Sequence, residues 1–138
     1  GLHGDPTATG VLAAVVADPH RARLVRQTAA TALGRIGSPH ATPALVGALR
    51  PDAPLDLAVA AAEALGRIGD PAGLPALTAG LRSGSVPARA ACADALAALG
   101  DAGRAQLVAH AFLVGPTGAA ARAALDATAQ RTAPARAA

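Results

Sequence analysis

Two identical six-residue stretches decide the fold of this chain: ALGRIG at residues 32–37 and again at residues 64–69. A weaker third copy, ALAALG, occupies residues 95–100. Counting from Ala32 to Ala64 and from Ala64 to Ala95 gives periods of 32 and 31 residues. A nearly constant period of this size predicts an array of structural repeats.

The similarity extends beyond the motif in both directions. Upstream, VRQTAATALG from residue 25 matches LAVAAAEALG from residue 57, ARAACADALA from residue 88 and ARAALDATAQ from residue 121. Downstream, GSPHATPALVGALR from residue 37 matches GDPAGLPALTAGLR from residue 69 and GDAGRAQLVAHAFL from residue 100. The segment TGVLAAVVADP, residues 9–19, resembles the second half of a unit. The order predicted is therefore half, full, full, full, half.

The first half of each unit predicts an amphipathic helix. Its apolar residues recur at spacings of three and four, which is the period of one helix face. In the first full unit this stripe consists of Leu24, Val25, Thr28, Ala29, Ala32 and Leu33. Gly37, Gly69 and Gly100 follow where a helix favours a left-handed C-cap residue.

The second half of each unit predicts another helix. Ser38-Pro39 and Asp70-Pro71 supply an N-cap followed by proline, and Asp101 repeats the cap without the proline. Proline about one turn inside, at Pro43 and Pro75, predicts a bend, and Gln106 in its place predicts a straighter third copy. The residues expected to be buried are Leu45, Ala48 and Leu49, then Leu77, Gly80 and Leu81, then Val108, Ala111 and Phe112.

No stretch alternates with the period of a strand, so the fold class predicted is all-α. A single repeat domain is expected over residues 7–130. Its parts are a half repeat at 7–17, full repeats at about 19–50, 51–82 and 83–114, and a terminal helix at 118–130. Residues 1–6 and 131–138 are expected to be flexible ends.

The pattern VR..AA.ALGRIG followed by G-D/S-P....PAL..AL resembles the HEAT-like repeats of the phycobilisome-lyase type, over residues 9–130. The resemblance implies an armadillo-type α-solenoid of antiparallel helix pairs, with the second helices lining a concave surface. The sequence departs from the pattern at Ala98, which replaces the motif arginine, and at Ala58, which replaces the arginine found at Arg26, Arg89 and Arg122. Proteins with such repeats include chromophore-lyase subunits, bacterial scaffolding proteins and DNA glycosylases, so the fold leaves function open.

Composition limits the classes of protein further. Hydrophobic residues make up 52% of the 138 residues, and nearly all are Ala, Leu and Val, with Phe112 the one aromatic residue. We therefore expect a core of small side chains with closely packed helices. No apolar run is long enough to span a membrane, which favours a soluble protein. The single cysteine cannot form an internal disulfide, so a cytoplasmic location is expected by default. The net charge of +3 is too small to indicate a polyanion as partner.

Three candidate chemistries are weighed against structural roles. The glycines of LGRIG close a helix, whereas a phosphate-binding loop leads from a strand into one, so capping is favoured. The histidines His3, His20, His40 and His110 lack the i, i+4 spacing of a metal pair and the His-Glu dipeptide that HEAT-like hydroxylases use to hold iron. They are expected to be exposed near helix starts, with no metal or cofactor. Cys92 takes the place of Ala29 and Ala61, which predicts a small buried residue rather than a nucleophile.

Arg21, Arg23 and Arg26 form a local basic cluster that offers weak nucleic-acid or phosphate binding as an alternative. The resemblance implies that Arg26 pairs with an acid or a carbonyl of the neighbouring unit. DNA glycosylases of this type stack the damaged nucleotide on aromatic side chains, and the chain has no Trp or Tyr. Nucleic acid is therefore an unlikely partner by this interpretation.

The surface that the fold presents by construction is the concave row of second helices. Its predicted members are Val46, Gly47, Arg50, Thr78, Ala79, Arg82, Ala109, His110 and Leu113. Arg50 and Arg82 are expected to lie one unit apart, roughly 10 Å by helix spacing, and to grip an acidic segment. The function predicted is a non-catalytic protein-binding module or scaffold. The alternative is a chromophore-lyase-like subunit that handles a tetrapyrrole.

Overall fold

The computed structural model describes residues 6–50, 52–83 and 85–132. These ranges form eight α-helices and contain no strand. The helices are α1 Pro6–Ala17, α2 Arg23–Ile36, α3 Thr42–Gly47, α4 Leu55–Ile68, α5 Leu74–Ser83, α6 Val86–Ala98, α7 Asp101–Ala111 and α8 Pro116–Thr132. Short 3-10 turns, Pro39–Ala41 and Pro71–Gly73, precede α3 and α5.

The ends that the sequence predicts as flexible lie mostly outside the described residues, which exclude 1–5 and 133–138. Pro6, Arg131 and Thr132 belong to the first and last helices. None of the helices in the described ranges is long and apolar enough to cross a membrane.

The helices form two layers. The even-numbered helices pack in sequence, α2 against α4, α4 against α6 and α6 against α8. Each odd-numbered helix packs on the next even-numbered one, so that α1 contacts α2, α3 contacts α4, α5 contacts α6 and α7 contacts α8. This arrangement confirms the predicted all-α solenoid of helix pairs. We call the exposed surface of the odd-numbered helices the inner face and that of the even-numbered helices the outer face.

A ladder of leucines runs through the core between the two layers. Leu33, Leu45, Leu57, Leu65, Leu77, Leu81, Leu96 and Leu107 are all fully buried. Alanine fills most of the remaining core. Because alanine side chains are short, the helices approach closely, as the composition predicts.

The first glycine of ALGRIG is a packing residue. A Cβ placed on Gly34 would lie 2.9 Å from the Cα of Ala64 on the neighbouring helix, and one on Gly66 would lie 3.0 Å from the Cα of Ala95. Real Cβ atoms almost never come so close to a backbone atom. The motif therefore allows the even-numbered helices to touch along their backbones.

The second glycine of the motif ends the helix. Gly37 has φ 76° and ψ 14° and Gly69 has φ 73° and ψ 17°, and their N–H groups donate to the carbonyls of Leu33 and Leu65. The predicted left-handed caps are confirmed at these two positions. The prediction is wrong at Gly100, where φ is 78° but ψ is −144°; α6 has already ended at Ala98, with Leu99 as its C-cap.

Ser38 and Asp70 cap the 3-10 turns that precede α3 and α5, and not the α-helices themselves as predicted. Ser38 accepts the N–H of His40 at 3.3 Å and Asp70 accepts that of Ala72 at 3.0 Å, so each closes a 3-10 turn. Asp70 also accepts the Thr42 hydroxyl at 2.8 Å, which joins two consecutive units. These hydrogen bonds from Ala72 and Thr42 lower the pKa of the Asp70 carboxyl.

The bend predicted from the internal prolines is wrong. After the 3-10 turns, Pro43 and Pro75 are the second residues of α3 and α5. A residue in the first turn of a helix has no intrahelical partner for its N–H, so proline costs nothing there.

The third unit is displaced by one residue from the predicted register. Helix α7 starts at Asp101 directly after Gly100, without a 3-10 turn, and Asp101 is its first residue rather than its cap. Its buried positions are Gly103, Leu107 and His110, with Ala111 half-buried. The predicted burial of Val108 and Phe112 is wrong, since they are 46% and 87% exposed. Ala105, not Gln106, now takes the place of the prolines.

The predicted stripe of α2 is correct only in part. Ala29 and Leu33 are buried, but Leu24 is 71% and Val25 47% exposed, and Thr28 is exposed as well. In the described residues α2 has an even-numbered neighbour, α4, on one side only. Residues at its start that would contact a preceding helix therefore face solvent.

Candidate functional site

The corrected register defines one position in each unit that points away from the core. Leu45, Leu77 and Leu107 are buried leucines at the equivalent position of α3, α5 and α7. The residue five positions further on is helical only in α5; it is the C-cap of α7 and lies in the turn three residues after the end of α3 at Gly47. That position holds Arg50, Arg82 and Phe112 in turn, and all three side chains are exposed. We call these three residues the inner-face row.

Three of the predicted members of the binding surface are small and exposed. Gly47, Ala79 and Ala109, predicted as members of the binding surface, are all exposed. Val46 and Thr78 are half-buried. The backbone of the odd-numbered helices is therefore accessible next to each member of the row.

Two of the predicted third-unit residues have other positions. His110 is only 8% exposed and packs inward, because the register places it level with Ala48 and Gly80. Leu113 is 48% exposed but lies six residues after Leu107, one position beyond the row. Sequence reasoning missed Phe112 and Val108. The signal that could have identified them is Leu107, which follows Gly100 by seven residues where Leu77 follows Gly69 by eight, together with the missing proline after Asp101.

Two open clefts in the inner face are each lined by one arginine of the row. The first, about 400 Å³, lies between α1 and α3 and is lined by Arg50 together with Arg26, Asp52 and small apolar residues. The second, about 320 Å³, lies between α5 and α7 and is lined by Arg82 with Thr78 and Gln106. Neither Arg50 nor Arg82 forms an ion pair within the described residues.

The buried imidazole of His110 holds Arg82 in position. The Nε–H of Arg82 donates to Nε2 of His110 at 3.3 Å, and Nδ1 of His110 lies 2.7 Å from the carbonyl oxygen of Gln106. A neutral imidazole with its proton on Nδ1 satisfies both contacts, since it donates to Gln106 and accepts from Arg82. The terminal nitrogens of the Arg82 guanidinium make no hydrogen bond to described residues and can bind a ligand.

Three other arginines have a structural role. Arg26 Nε donates to the Val16 carbonyl at 2.9 Å, Arg89 Nε to that of Leu81 at 3.0 Å and Arg122 Nη1 to that of Ala111 at 2.7 Å. Each accepting carbonyl lies near the carboxyl end of the preceding odd-numbered helix, where the helix dipole is negative. The predicted pairing of Arg26 with a carbonyl of the neighbouring unit is confirmed. The equivalent residue of α4 is Ala58, so this contact is missing after α3.

Two of the three arginines in the basic cluster considered for nucleic-acid binding already have partners within the chain. Arg26 is engaged with Val16, and Nε of Arg21 lies 3.6 Å from Oδ2 of Asp18. Of the three arginines, Arg23 alone has no partner among the described residues. A single exposed guanidinium gives a weak phosphate contact.

Cys92 is a buried core residue, as predicted. Its side chain is 1% exposed, and burial raises the pKa of the thiol to about 11. A Cβ placed on Gly80 would collide with its sulfur atom, so the thiol is covered by the backbone of α5. A protonated, covered thiol is a poor nucleophile.

The histidines do not form a cluster in the described part of the chain. His20 and His40 are exposed, whereas His110 is buried at the end of α7, so the predicted exposure near a helix start is wrong for His110. His3 lies outside the described residues. No group of three or more His, Cys, Asp or Glu side chains in the described ranges is arranged to hold a metal ion.

Comparison with known proteins agrees with the helical architecture. No protein with a curated description matches the sequence significantly. The structure is similar to that of human deoxyhypusine hydroxylase in complex with glycerol, with a TM-score of 0.74 and 28% sequence identity. The match covers 88% of this chain and 43% of the hydroxylase chain, so the chain spans less than half of that protein. The family model for HEAT repeats matches residues 1–58 and 48–129, and the chain therefore belongs to the HEAT-repeat family.

Proposed function

We propose that this chain is a non-catalytic interaction module that holds an acidic segment of a partner protein on its inner face. One observation carries the proposal: Arg50 and Arg82 occupy the same repeat position, and each lines an open cleft without an ion pair among the described residues. HEAT repeats as a family favour an interaction or scaffold role.

An arginine beside a cleft is suited to a carboxylate. Its planar guanidinium offers two parallel N–H donors that match the two carboxylate oxygens. Most residues that line the two clefts beside Arg50 and Arg82 are apolar, with Asp52 the acidic residue in the first cleft, so a partner side chain entering either cleft loses part of its water. Partial loss of water strengthens the attraction between opposite charges.

A protein partner is favoured over a polyanion by the number of available cations. Nucleic acid binding draws its affinity from many simultaneous phosphate contacts. The inner-face row offers two arginines, and the chain carries a net charge of only +3. Two guanidiniums are enough to select acidic side chains at two defined points.

The proposal that the module is non-catalytic is supported by the state of its one thiol. Burial keeps Cys92 protonated, with a pKa near 11. The buried imidazole of His110 already uses both ring nitrogens, one toward Gln106 and one toward Arg82. Neither group is available to exchange a proton with a substrate.

The test is affinity capture from the native cell extract with a pair of charge-matched variants. Arg50→Glu with Arg82→Glu reverses the charge of both arginines in the inner-face row. Arg35→Glu with Arg67→Glu makes the same change in net charge at exposed residues of the even-numbered helices. We expect a partner captured by the wild-type chain and by the Arg35/Arg67 variant to be lost from the Arg50/Arg82 variant. Equal capture by both variants would refute the proposal.

The resemblance of ALGRIG to repeats of the phycobilisome-lyase type supports a second candidate, a subunit that handles a tetrapyrrole together with its carrier protein. The cleft between α1 and α3, lined by Arg26, Arg50, Asp52 and small apolar residues, is the larger of the two inner-face clefts. A change in visible absorption when a bilin is mixed with the chain would support this candidate. An unchanged spectrum at bilin concentrations up to the millimolar range would exclude it.

A further inference from the structure

We infer that the turns between α5 and α6 and between α7 and α8 form a docking surface for an anionic lipid bilayer. We call this surface the turn patch. Its apolar members are Val86, Phe112, Leu113 and Val114, and its basic members are Arg82, Arg89 and Arg122. This binding is distinct from the capture of an acidic protein segment, although Arg82 and Phe112 also belong to the inner-face row.

The apolar members of the turn patch stand out from the protein surface. Val114 is 101% exposed, Phe112 is 87% exposed and Val86 is 74% exposed. Leu113, between Phe112 and Val114 in the turn before α8, is 48% exposed. Side chains with this exposure protrude and do not line a groove. A cluster of exposed large apolar side chains marks a contact with another molecule or with a membrane.

The two turns are neighbours at one edge of the stack, where odd-numbered helices end and even-numbered helices begin. Helices α6 and α8, which follow the two turns, pack against each other. The Thr117 hydroxyl donates to the carbonyl oxygen of Arg82 at 3.5 Å, so the start of α8 reaches the end of α5. Val86 and the apolar residues 112–114 therefore lie on the same edge of the molecule, beside each other.

All formal charges in this part of the chain are positive. Residues 71–93 and 102–125 contain no Asp or Glu. Arg89 and Arg122 donate to the carbonyls of Leu81 and Leu113 at 3.0 and 3.3 Å, which holds their guanidiniums at the two turns. Within the described residues, Arg82, Arg89 and Arg122 each use one nitrogen for hydrogen bonds. Their other N–H groups are left for anionic oxygens such as those of a lipid phosphate.

The turn between α3 and α4 lacks this combination. Leu55 is 43% exposed there, but the exposed carboxylates of Asp52 and Asp56 lie beside it in the sequence. Carboxylates next to an apolar side chain oppose contact with an anionic surface. The turn patch is therefore confined to the last two turns of this kind in the chain.

A bilayer fits the turn patch better than a folded partner does. Binding to a membrane surface increases with the apolar area inserted and with the attraction to anionic lipids, and it requires no spanning helix. Lipid chains rearrange around separate protruding side chains, so the surface needs neither a matching pocket nor a fixed spacing. Two copies of the chain joined through this patch about a twofold axis would bring their arginines together, and like charges repel.

The test is co-sedimentation of the full chain with lipid vesicles. The probes are vesicles of phosphatidylcholine alone and vesicles in which about one third of the lipid is phosphatidylglycerol, in about 0.1 M salt. We expect the chain to bind the mixed vesicles and to bind phosphatidylcholine alone about tenfold more weakly or worse. Raising the salt to about 1 M should weaken binding to the mixed vesicles, because the ions screen the arginines.

A matched pair of substitutions assigns the apolar contact. Val114→Ser removes the most exposed member of the patch, which lies outside the inner-face row, and should weaken binding to the mixed vesicles by about tenfold. Val11→Ser makes the same change at a valine that is 60% exposed in α1, away from the patch, and should change binding by less than about twofold. Circular dichroism checks that both variants are folded.

A second pair assigns the charge. Arg82→Glu should weaken binding by about tenfold or more, since each arginine near an anionic bilayer contributes about fivefold. Arg67→Glu makes the same change near the far end of α4, whose 14 residues span about 21 Å. That distance exceeds the Debye length of about 10 Å in 0.1 M salt, so we expect a change of less than about twofold.

Insertion is measured by fluorescence, because the chain has no Trp of its own. Phe112→Trp places a single indole on the turn patch, and its emission should shift to shorter wavelengths when mixed vesicles are added. Val11→Trp should show no such shift.

Several results would overturn the inference. They are absence of binding to the mixed vesicles, equal binding to both kinds of vesicle, equal effects of Val114→Ser and Val11→Ser, and an unshifted emission of the Phe112→Trp variant. A dimer in solution that Val114→Ser converts to a monomer would assign the patch to a second copy instead. Capture of a protein through Arg50 and Arg82 uses no vesicles and no change at Val114, so the proposed function stands or fails separately.

Discussion

Gly34 and Gly37 stand three residues apart in the same motif and stabilise the fold in different ways. Gly34 lacks a side chain so that α2 can touch the backbone of α4 at Ala64. Gly37 adopts a left-handed conformation, with φ 76°, that ends α2. At the scale of the residue, then, a repeated glycine motif is explained by packing and capping, without any ligand.

The close contact at Gly34 predicts that alanine is harmful there although alanine favours helices. Gly34→Ala gains about 1 kcal/mol of helix propensity but loses about 1–3 kcal/mol through overpacking against Ala64. We expect the free energy of unfolding to fall by about 1 kcal/mol in urea titration.

Gly10 provides the matched control for this substitution. It lies inside α1 and a built Cβ meets nothing within 4 Å. Gly10→Ala should therefore raise the free energy of unfolding by about 0.5–1 kcal/mol. Stabilisation by both substitutions would contradict the close approach of α2 and α4.

The buried thiol of Cys92 should make the free energy of unfolding depend on pH between 9 and about 11. Its pKa rises from 9.0 to about 11 on folding because burial penalises the thiolate. Below pH 9 the thiol is protonated in both states. Above pH 9 the unfolded chain loses the proton first, so the free energy of unfolding should fall by roughly 2–3 kcal/mol as pH rises to about 11.

The chain has no Lys or Tyr, so no other type of side chain titrates between pH 9 and 11. Cys92→Ala, with the residue found at the equivalent positions Ala29 and Ala61, should therefore flatten the pH dependence in urea titrations. A variant with an unchanged slope would show that Cys92 is not the cause.

At the scale of the element, the stack depends on contacts between one helix and the end of the one before. Arg26, Arg89 and Arg122 each bind a carbonyl near the end of the preceding odd-numbered helix. Asp70 binds the hydroxyl of Thr42 in the preceding unit. These polar contacts join consecutive helices, while the leucine ladder supplies the apolar contact.

The arginine contact can be measured at Arg89. Arg89→Met keeps most of the side-chain length but removes the donor to the Leu81 carbonyl, which should lower the free energy of unfolding by about 1 kcal/mol. The Arg104 side chain is exposed and has no hydrogen-bond partner among the described residues, so Arg104→Met should change the free energy of unfolding by less than about 0.5 kcal/mol. Equal effects of the two substitutions would reject the capping role.

The helices of the first two full units could be predicted from sequence because their signals agree. Ser38-Pro39 and Asp70-Pro71 mark the starts and Gly37 and Gly69 mark the ends. The third unit lacks the proline after Asp101 and is one residue shorter, so Gly100 leads directly into α7. Because a shift of one residue rotates a helix by about 100°, it exchanges buried and exposed positions.

At the scale of the whole molecule, that shift changes the candidate site. The repeat register predicted from the sequence places His110 and Leu113 on the binding surface. The structure instead buries His110, and Phe112 takes the position equivalent to Arg50 and Arg82. The arginines of the surface were predictable because both intact units carry them. The contact between Arg82 and His110 was not, since it depends on how far apart α5 and α7 pack.

A groove on the outer face is an alternative surface on which a partner could bind. A groove of about 350 Å³ lies between α4 and α6, with Glu63, Arg67 and Asp94 along its sides and Ala98 at one end. Both signs of charge are present there. Such a surface has no preference for an acidic ligand.

The most direct test that the partner binds on the inner face is site-specific crosslinking of the captured partner in a Cys92→Ala background. A cysteine-reactive benzophenone is attached through Ala109→Cys on the inner face or through Ala98→Cys on the outer face; both alanines are exposed. We predict crosslinks to the partner from position 109 and none above background from position 98. Crosslinks from position 98 without any from position 109 would contradict binding on the inner face.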